Sequence, residues 1–152
     1  MKKLFIFLST LLISFSLLAR DPGVNEKLIK SFNSSFPKAE HVQWYELPKA
    51  WVVNFIADGI RSRIVYLKDG KYMEFTRYYF ESNLPFLIQS KIKNAYPDKK
   101  IFGVIEVSVI PETETSPRVE HFVKLEDDRN WLTVKADADG NLSVTEKYRK
   151  AL

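Results

Sequence analysis

WVVNFIADGIRSRIVYLKDGKYMEF, residues 51 to 75, holds three apolar runs separated by Asp58-Gly59 and Asp69-Gly70. Asp-Gly between β-rich runs marks hairpins, because a type I′ turn places both central residues at positive φ, where glycine pays no steric cost. The stretch predicts a β-meander. It contains no nucleophile with its base and orienter, no metal quartet and no phosphate loop, which points to a binding module and away from an enzyme.

Alternation along each strand sorts the side chains onto two faces. In Trp51 to Ala57, Trp51, Val53 and Phe55 share one face, and Val52, Asn54 and Ile56 the other. In Arg61 to Leu67, Ile64 and Tyr66 oppose Arg61, Arg63 and Val65. The first face is richer in large apolar groups. With a helix over it, the opposite face shows Tyr45, Asn54, Arg61 and Arg63 to solvent. The parity of Lys71 to Tyr79 stays open, since Met73 and Phe75 compete with Tyr72 for the core.

A helix precedes the meander. Val24, Leu28, Phe32 and Phe36 recur every four residues, which drifts by about 40° per step and makes an apolar stripe about 120° wide. Asp21-Pro22 offers an N-cap with proline in the first turn, and Pro37 ends the helix by pushing the residue before it out of the α region. The same spacing returns 60 residues later in Leu84, Ile88, Ile92 and Tyr96, with Pro97 in the place of Pro37. Strands are expected at Val42 to Leu47, Trp51 to Ala57, Arg61 to Leu67 and Lys71 to Tyr79. After the second helix they are expected at Ile101 to Ile110, Val119 to Glu126, Trp131 to Ala136 and Asn141 to Lys147.

Each half thus reads α-β-β-β-β, the second lengthened by the polar, proline-bounded segment PETETSP at 111 to 117. In that half Ile105, Val107, Val109, Leu132, Val134, Leu142 and Val144 are expected to face inward. Glu106, Ser108, Trp131, Thr133, Lys135, Ser143 and Thr145 are expected to face outward. Two copies are too few for a solenoid, which favours one pseudo-symmetric sheet or two abutting sheets. The fold class is α+β: tandem α-β4 units, residues 20–80 and 81–152, forming antiparallel sheet with helices on one face.

The first 19 residues read as a secretory signal peptide. Lys2 and Lys3 precede an apolar run from Leu4 to Leu18, and Ala19 stands before Arg20 and Asp21; a spanning helix needs about 20 apolar residues. Cleavage after Ala19 or after Ser16 is compatible with the pattern. Removing residues 1–19 leaves 133 of the 152, with no membrane span and a periplasmic or secreted destination. The chain has no cysteine, which excludes disulfides, thiol catalysis and thiolate metal sites. The formal charge of +4 falls to +2 without Lys2 and Lys3 (21 basic against 19 acidic residues), and no basic cluster marks one face, which argues against nucleic acid as a partner.

Few residues could carry chemistry. His41 and His121, beside Glu40 and Glu120, are the two histidines; no nucleophile elbow accompanies them, and two imidazoles cannot build an all-histidine zinc site. Lys135-Ala-Asp137-Ala-Asp139-Gly140 with Glu146 partly fits an EF-hand loop, but Lys135 stands where the first carboxylate belongs and the flanks read as strands, so a β-turn is expected. No catalytic residue, metal site or cofactor is assigned. Tyr45, Tyr72, Tyr78, Tyr79 and Trp131 cannot all be placed in the core, and Tyr, Trp and Arg are enriched at interface hot spots. The candidate binding residues are Tyr45, Asn54, Arg61, Arg63, Trp131 and Lys135.

A family resemblance lies in Phe36-Pro37 followed by Trp44, in Asn54-Phe55 before Asp58-Gly59, in Val65-Tyr66-Leu67-Lys68-Asp69-Gly70-Lys71, and in Leu84-Pro85 opening the second helix. Together they resemble the PepSY-like, β-lactamase-inhibitor-protein-like domains of exported Bacteroidetes proteins, over about residues 24 to 148. The resemblance implies tandem α-β4 units with both helices on one side of the sheet, and an open concave face that docks another protein. The expected role is an exported, non-enzymatic binding module, protein-binding or inhibitory, with a periplasmic or surface protein as partner. The alternative is a binder of small ligands, peptides or glycans of the cell envelope.

Overall fold

The structure, a computed structural model, describes residues 23–111 and 116–151. The expected signal peptide, the Asp21-Pro22 cap and most of the 111–117 segment lie outside the described residues. Chain order is α1 (Glu26–Ser35), β1 (Glu40–Glu46), β2 (Ala50–Ala57), β3 (Ile60–Leu67), β4 (Tyr72–Tyr79), a 3₁₀ turn (Glu81–Asn83), α2 (Phe86–Ala95), β5 (Lys100–Val109), β6 (Arg118–Glu126), β7 (Asn130–Ala136) and β8 (Leu142–Arg149). All eight strands form one antiparallel sheet in sequence order. The pairing of β4 with β5, Phe75 opposite Ser108 through Tyr79 opposite Val104, makes the sheet continuous across the middle of the chain.

The turns explain the meander. Asp58 (φ 51°) and Gly59 (φ 74°) both take positive φ, the type I′ geometry expected of this dipeptide. Asp69-Gly70 works differently: only Gly70 (φ 88°) is left-handed, and the Leu67 amide donates to the Lys71 carbonyl while the Leu67 carbonyl accepts from the Gly70 amide, around a three-residue loop. Gly140 (φ 75°) closes the equivalent loop between Asp137 and Asn141.

Helix α1 starts one turn later than Asp21-Pro22 would place it. Its N-cap is Asn25, whose side chain accepts a hydrogen bond from the Lys27 amide at 2.8 Å, and Glu26 adds a favourable negative charge to the first turn. It ends at Phe36, before Pro37, as α2 ends at Tyr96, before Pro97.

Leu28 and Phe32 of α1 are buried, Phe32 among Val53, Phe55 and Ile64. Phe32 meets the Phe55 ring edge-on at 5.0 Å and the Trp44 ring at 5.5 Å. Ile88 and Ile92 of α2 pack on Val104, Val123, Leu125, Leu132 and Val134. The register puts both sets on the same face: Val53 lies opposite Ile64, Ile64 opposite Phe75, Phe75 opposite Ser108 and Ser108 opposite Val119, and alternation leads on to Val104 and Val123. Both helices therefore cover one side, and the other side has no helix among the described residues.

Strand β5 corrects one expectation. Ile105, Val107 and Val109 face away from the helices, while Glu106 and Ser108 face toward them. The register shift between Ile101 and Gly103 inserts Phe102 into the strand as an extra residue, so Val104, only 3% exposed, sets the inward parity for the even-numbered positions. The open parity of β4 resolves with Phe75 toward the helices and Glu74, Thr76 and Tyr78 away.

Candidate functional site

The helix-free face carries a row of side chains that runs across six strands. Arg61 of β3 lies opposite Tyr78 of β4, Tyr78 opposite Ile105 of β5, and Ile105 opposite Phe122 of β6. Two residues along, Lys124 lies opposite Thr133 of β7, and Thr133 opposite Glu146 of β8. These residues, with Phe102 and Tyr148, line a cleft of about 930 Å³, walled at one end by Phe80, Ser82 and Asn83 around the 3₁₀ turn. Ile105 (41%), Phe102 (51%) and Phe80 (73%) are far more exposed than apolar side chains with a covering partner would be.

Charge is distributed unevenly along this row. Arg61 stands at the β3 end, its guanidinium 5.9 Å from the centre of the Tyr78 ring. Lys124 sits midway, its ammonium 4.6 Å from the Trp131 ring centre and 5.8 Å from that of Phe102, distances at which ring faces attract cations. Glu146 occupies the β8 end and accepts hydrogen bonds from the hydroxyls of Thr133 and Tyr148, both at 3.1 Å. That bond to a carboxylate raises the Tyr148 phenol above its ordinary pKa.

All six residues singled out in the sequence lie on this face, but in four separate places. Asn54, Arg61 and Arg63 come together: Asn54 is paired with Arg63 across β2 and β3, and all three line a hollow of about 370 Å³ with His41 and Tyr78. Trp131 belongs to a second group, edge-on to Phe102 at 4.9 Å and beneath Lys124 and Lys150. Tyr45 is on the edge strand β1 with its hydroxyl donated to Gln43, and Lys135 is paired with Glu120 at 3.1 Å. The cleft residues Ile105 and Phe102 were missed because their parity depends on the β5 shift, for which Gly103 is the one sequence signal. Phe122 and Lys124 follow from alternation in β6, whereas Glu146 and Tyr148 reach this face because β8 slips by one residue opposite Thr133 and Val134, which reverses the parity set by Leu142 and Val144.

The helix-covered face holds a polar cluster where β4, β5 and β6 adjoin. Glu106 accepts from the Tyr79 hydroxyl at 2.8 Å, from Arg77 Nη1 at 3.2 Å and, over a long 3.5 Å, from His121 Nε2. His121, Tyr79 and Arg77 hold its carboxyl down at about 2 against partial burial. The Tyr79 phenol is pushed up, first by burial and then by that carboxylate. His121 is 4% exposed, and its Nδ1 has no hydrogen-bond partner. Its Nε2 contact with Glu106 ties β6 to β5. In the Asp137 turn the carboxylate is occupied by the amides of Asp139 and Asn141 and by the Asn141 side chain, as a β-turn requires. The described residues contain no cluster of three or more His, Asp or Glu side chains able to hold a metal. No helix among them is long and apolar enough to cross a membrane.

No protein-family model matches the chain, and no curated protein does. Solved structures do. A BLIP-like protein from Bacteroides fragilis superposes with a TM-score of 0.61 at 13% identity, covering 82% of this chain and 85% of that one. A DUF2874 family protein from Bacteroides ovatus gives 0.61 at 15% identity, covering 84% and 86%. A protein from Bacteroides eggerthii, provisionally described as periplasmic, gives 0.59 at 14% identity, covering 83% and 88%. At these identities the likeness is one of fold, and it extends over nearly all of the described chain.

Proposed function

We propose that this protein is an exported, non-enzymatic binding module that holds a periplasmic or surface protein on the helix-free face of its sheet. The observation that carries the proposal is the asymmetry of the two faces: one is sealed by α1 and α2, while the other exposes aromatic, aliphatic and cationic side chains in one continuous cleft. Such composition suits an interface, where aromatics and arginine supply most of the binding energy. Export rests on residues 1–19 and agrees with the provisional periplasmic description of the B. eggerthii neighbour. We read the chain as a tandem duplication of an α-β4 unit. The order of elements recurs, and the loops closed by Gly70 and Gly140 have the same hydrogen bonds.

The cleft's volume falls within the range of small-molecule sites, which favours a peptide or glycan ligand as the second reading. A photocrosslinking residue at position 78, on the open face, separates the binding role from its absence when compared with one at position 30, on the exposed side of α1. A discrete adduct in the cell envelope from position 78 alone is expected. No adduct, or the same adducts from both positions, would refute the role.

A further inference from the structure

The open face has a length and a charge gradient that select among occupants. The lined cleft passes from Arg61 on β3 to Tyr148 on β8, five inter-strand steps of about 4.8 Å each, or about 24 Å. That is the reach of about seven residues of extended polypeptide. The row crosses the strands, so recognition falls to side chains and not to strand addition at a sheet edge.

The charges specify one end. Arg61, Arg63 and Lys124 form no salt bridge among the described residues, in contrast to Lys68, Lys99, Lys135 and Lys150, each of which has a carboxylate. Glu146, the one carboxylate lining the cleft, already accepts two hydroxyl hydrogen bonds at the far end. Between the two arginines and Glu146 lie Tyr78, Ile105, Phe122 and Phe102. Resting on the binding role proposed above, we infer that the occupant is an extended segment of a partner protein, about seven residues long. It carries Asp or Glu at the end that meets Arg61 and Arg63, and large apolar side chains at its centre over Ile105 and Phe122.

A random heptapeptide phage library panned on the immobilised full chain tests this without presupposing a sequence. Selected peptides are expected to carry an acidic residue at one end and Phe, Leu, Ile or Trp in the middle. Recovery should drop by about tenfold or more on Arg61→Glu/Arg63→Glu, as charge reversal at a complementary contact requires. Fluorescence polarisation with the best selected peptide, synthesised and labelled, should show affinity falling as salt rises. Because both arginines are exposed, the double variant should keep its melting temperature within about 3 °C, which separates lost binding from lost folding. No enrichment, peptides without acidic bias, or equal recovery on the double variant would each overturn this inference. Those outcomes leave the crosslink from position 78 to decide the binding role itself.

Discussion

Replacing Glu106 with glutamine isolates the charge in the polar cluster between the two helix-packed cores. The Glu106 side chain is 16% exposed and takes hydrogen bonds from Tyr79 and Arg77 and a longer contact from His121. These donors hold its carboxyl at about 2 in the folded chain, against 4.5 ordinarily. Because the folded pKa lies below the unfolded one, the unfolded chain takes up the proton first as pH falls. The stabilisation is therefore complete above the unfolded value and is lost as pH drops through 4.5 toward 2. A separation of that size corresponds to about 3 kcal/mol above about pH 6, of which about 1 kcal/mol remains at pH 3. Arg77 is a third exposed, and solvent screening of its share brings the expected value at pH 7 to about 2 kcal/mol. Glutamine preserves the shape and one acceptor but does not titrate. Urea unfolding of wild type and Glu106→Gln at pH 7 and pH 3 should give a stability difference of about 2 kcal/mol that shrinks by at least half. Asp127, held low first by the Lys99 ammonium, and Asp137, held low first by the Asn141 side chain, titrate in both proteins and cancel in the difference. A difference that is the same at both pH values would refute the assignment of this stabilisation to the Glu106 charge.

Two further outcomes are expected. Phe32→Ala removes the α1 ring packed against Phe55, Trp44 and Phe36, and should cost about 3–5 kcal/mol by urea or thermal unfolding, with a cavity left between helix and sheet. Gly140→Ala forces alanine to φ 75° and sets its Cβ 2.8 Å from Lys91 Cδ, so Lys91 must move away from the Asp139 carbonyl that it binds at 2.7 Å. Gly59→Ala at φ 74° meets nothing nearby. Gly140→Ala should therefore cost about 1 kcal/mol more than Gly59→Ala, an excess that disappears in a Lys91→Ala background.

Much of the fold is written in local chemistry. The four-residue apolar spacing placed both helices, and Pro37 and Pro97 ended them within a residue of the structural caps. The Asp-Gly steps placed the hairpins, although only Asp58-Gly59 uses the type I′ geometry, because the loop after Leu67 has one residue more. Legibility failed where one residue slips. Two parities compete in strand β5: simple alternation favours Ile105, Val107 and Val109 inward, and the other puts Val104 inward among polar residues. Only the extra residue at Phe102 decides between them. The candidate residues carry the same slip: Arg61, Arg63 and Asn54 lie together on the open face, whereas Ile105 and Phe102, which line the apolar middle of the cleft, were assigned inward or left out.

The same slip explains why polar groups stand in the covered face. Helix α1 packs on β2 and β3 and helix α2 on β5 to β7, and the row from Arg77 through Glu106 to His121 runs into Ala136 at the margin of the α2 core. A largely buried carboxylate there is satisfied by its three donors in place. Placing Glu106 inward in turn sends Ile105 and Val107 outward, since neighbours along a strand cannot share a face. The apolar floor of the open cleft and the polar seam beneath the helices are thus two consequences of one register. A change that shifted β5 by one residue would bury Ile105 at the seam and expose Glu106 in the cleft, abolishing both the charge cluster and the apolar floor of the cleft.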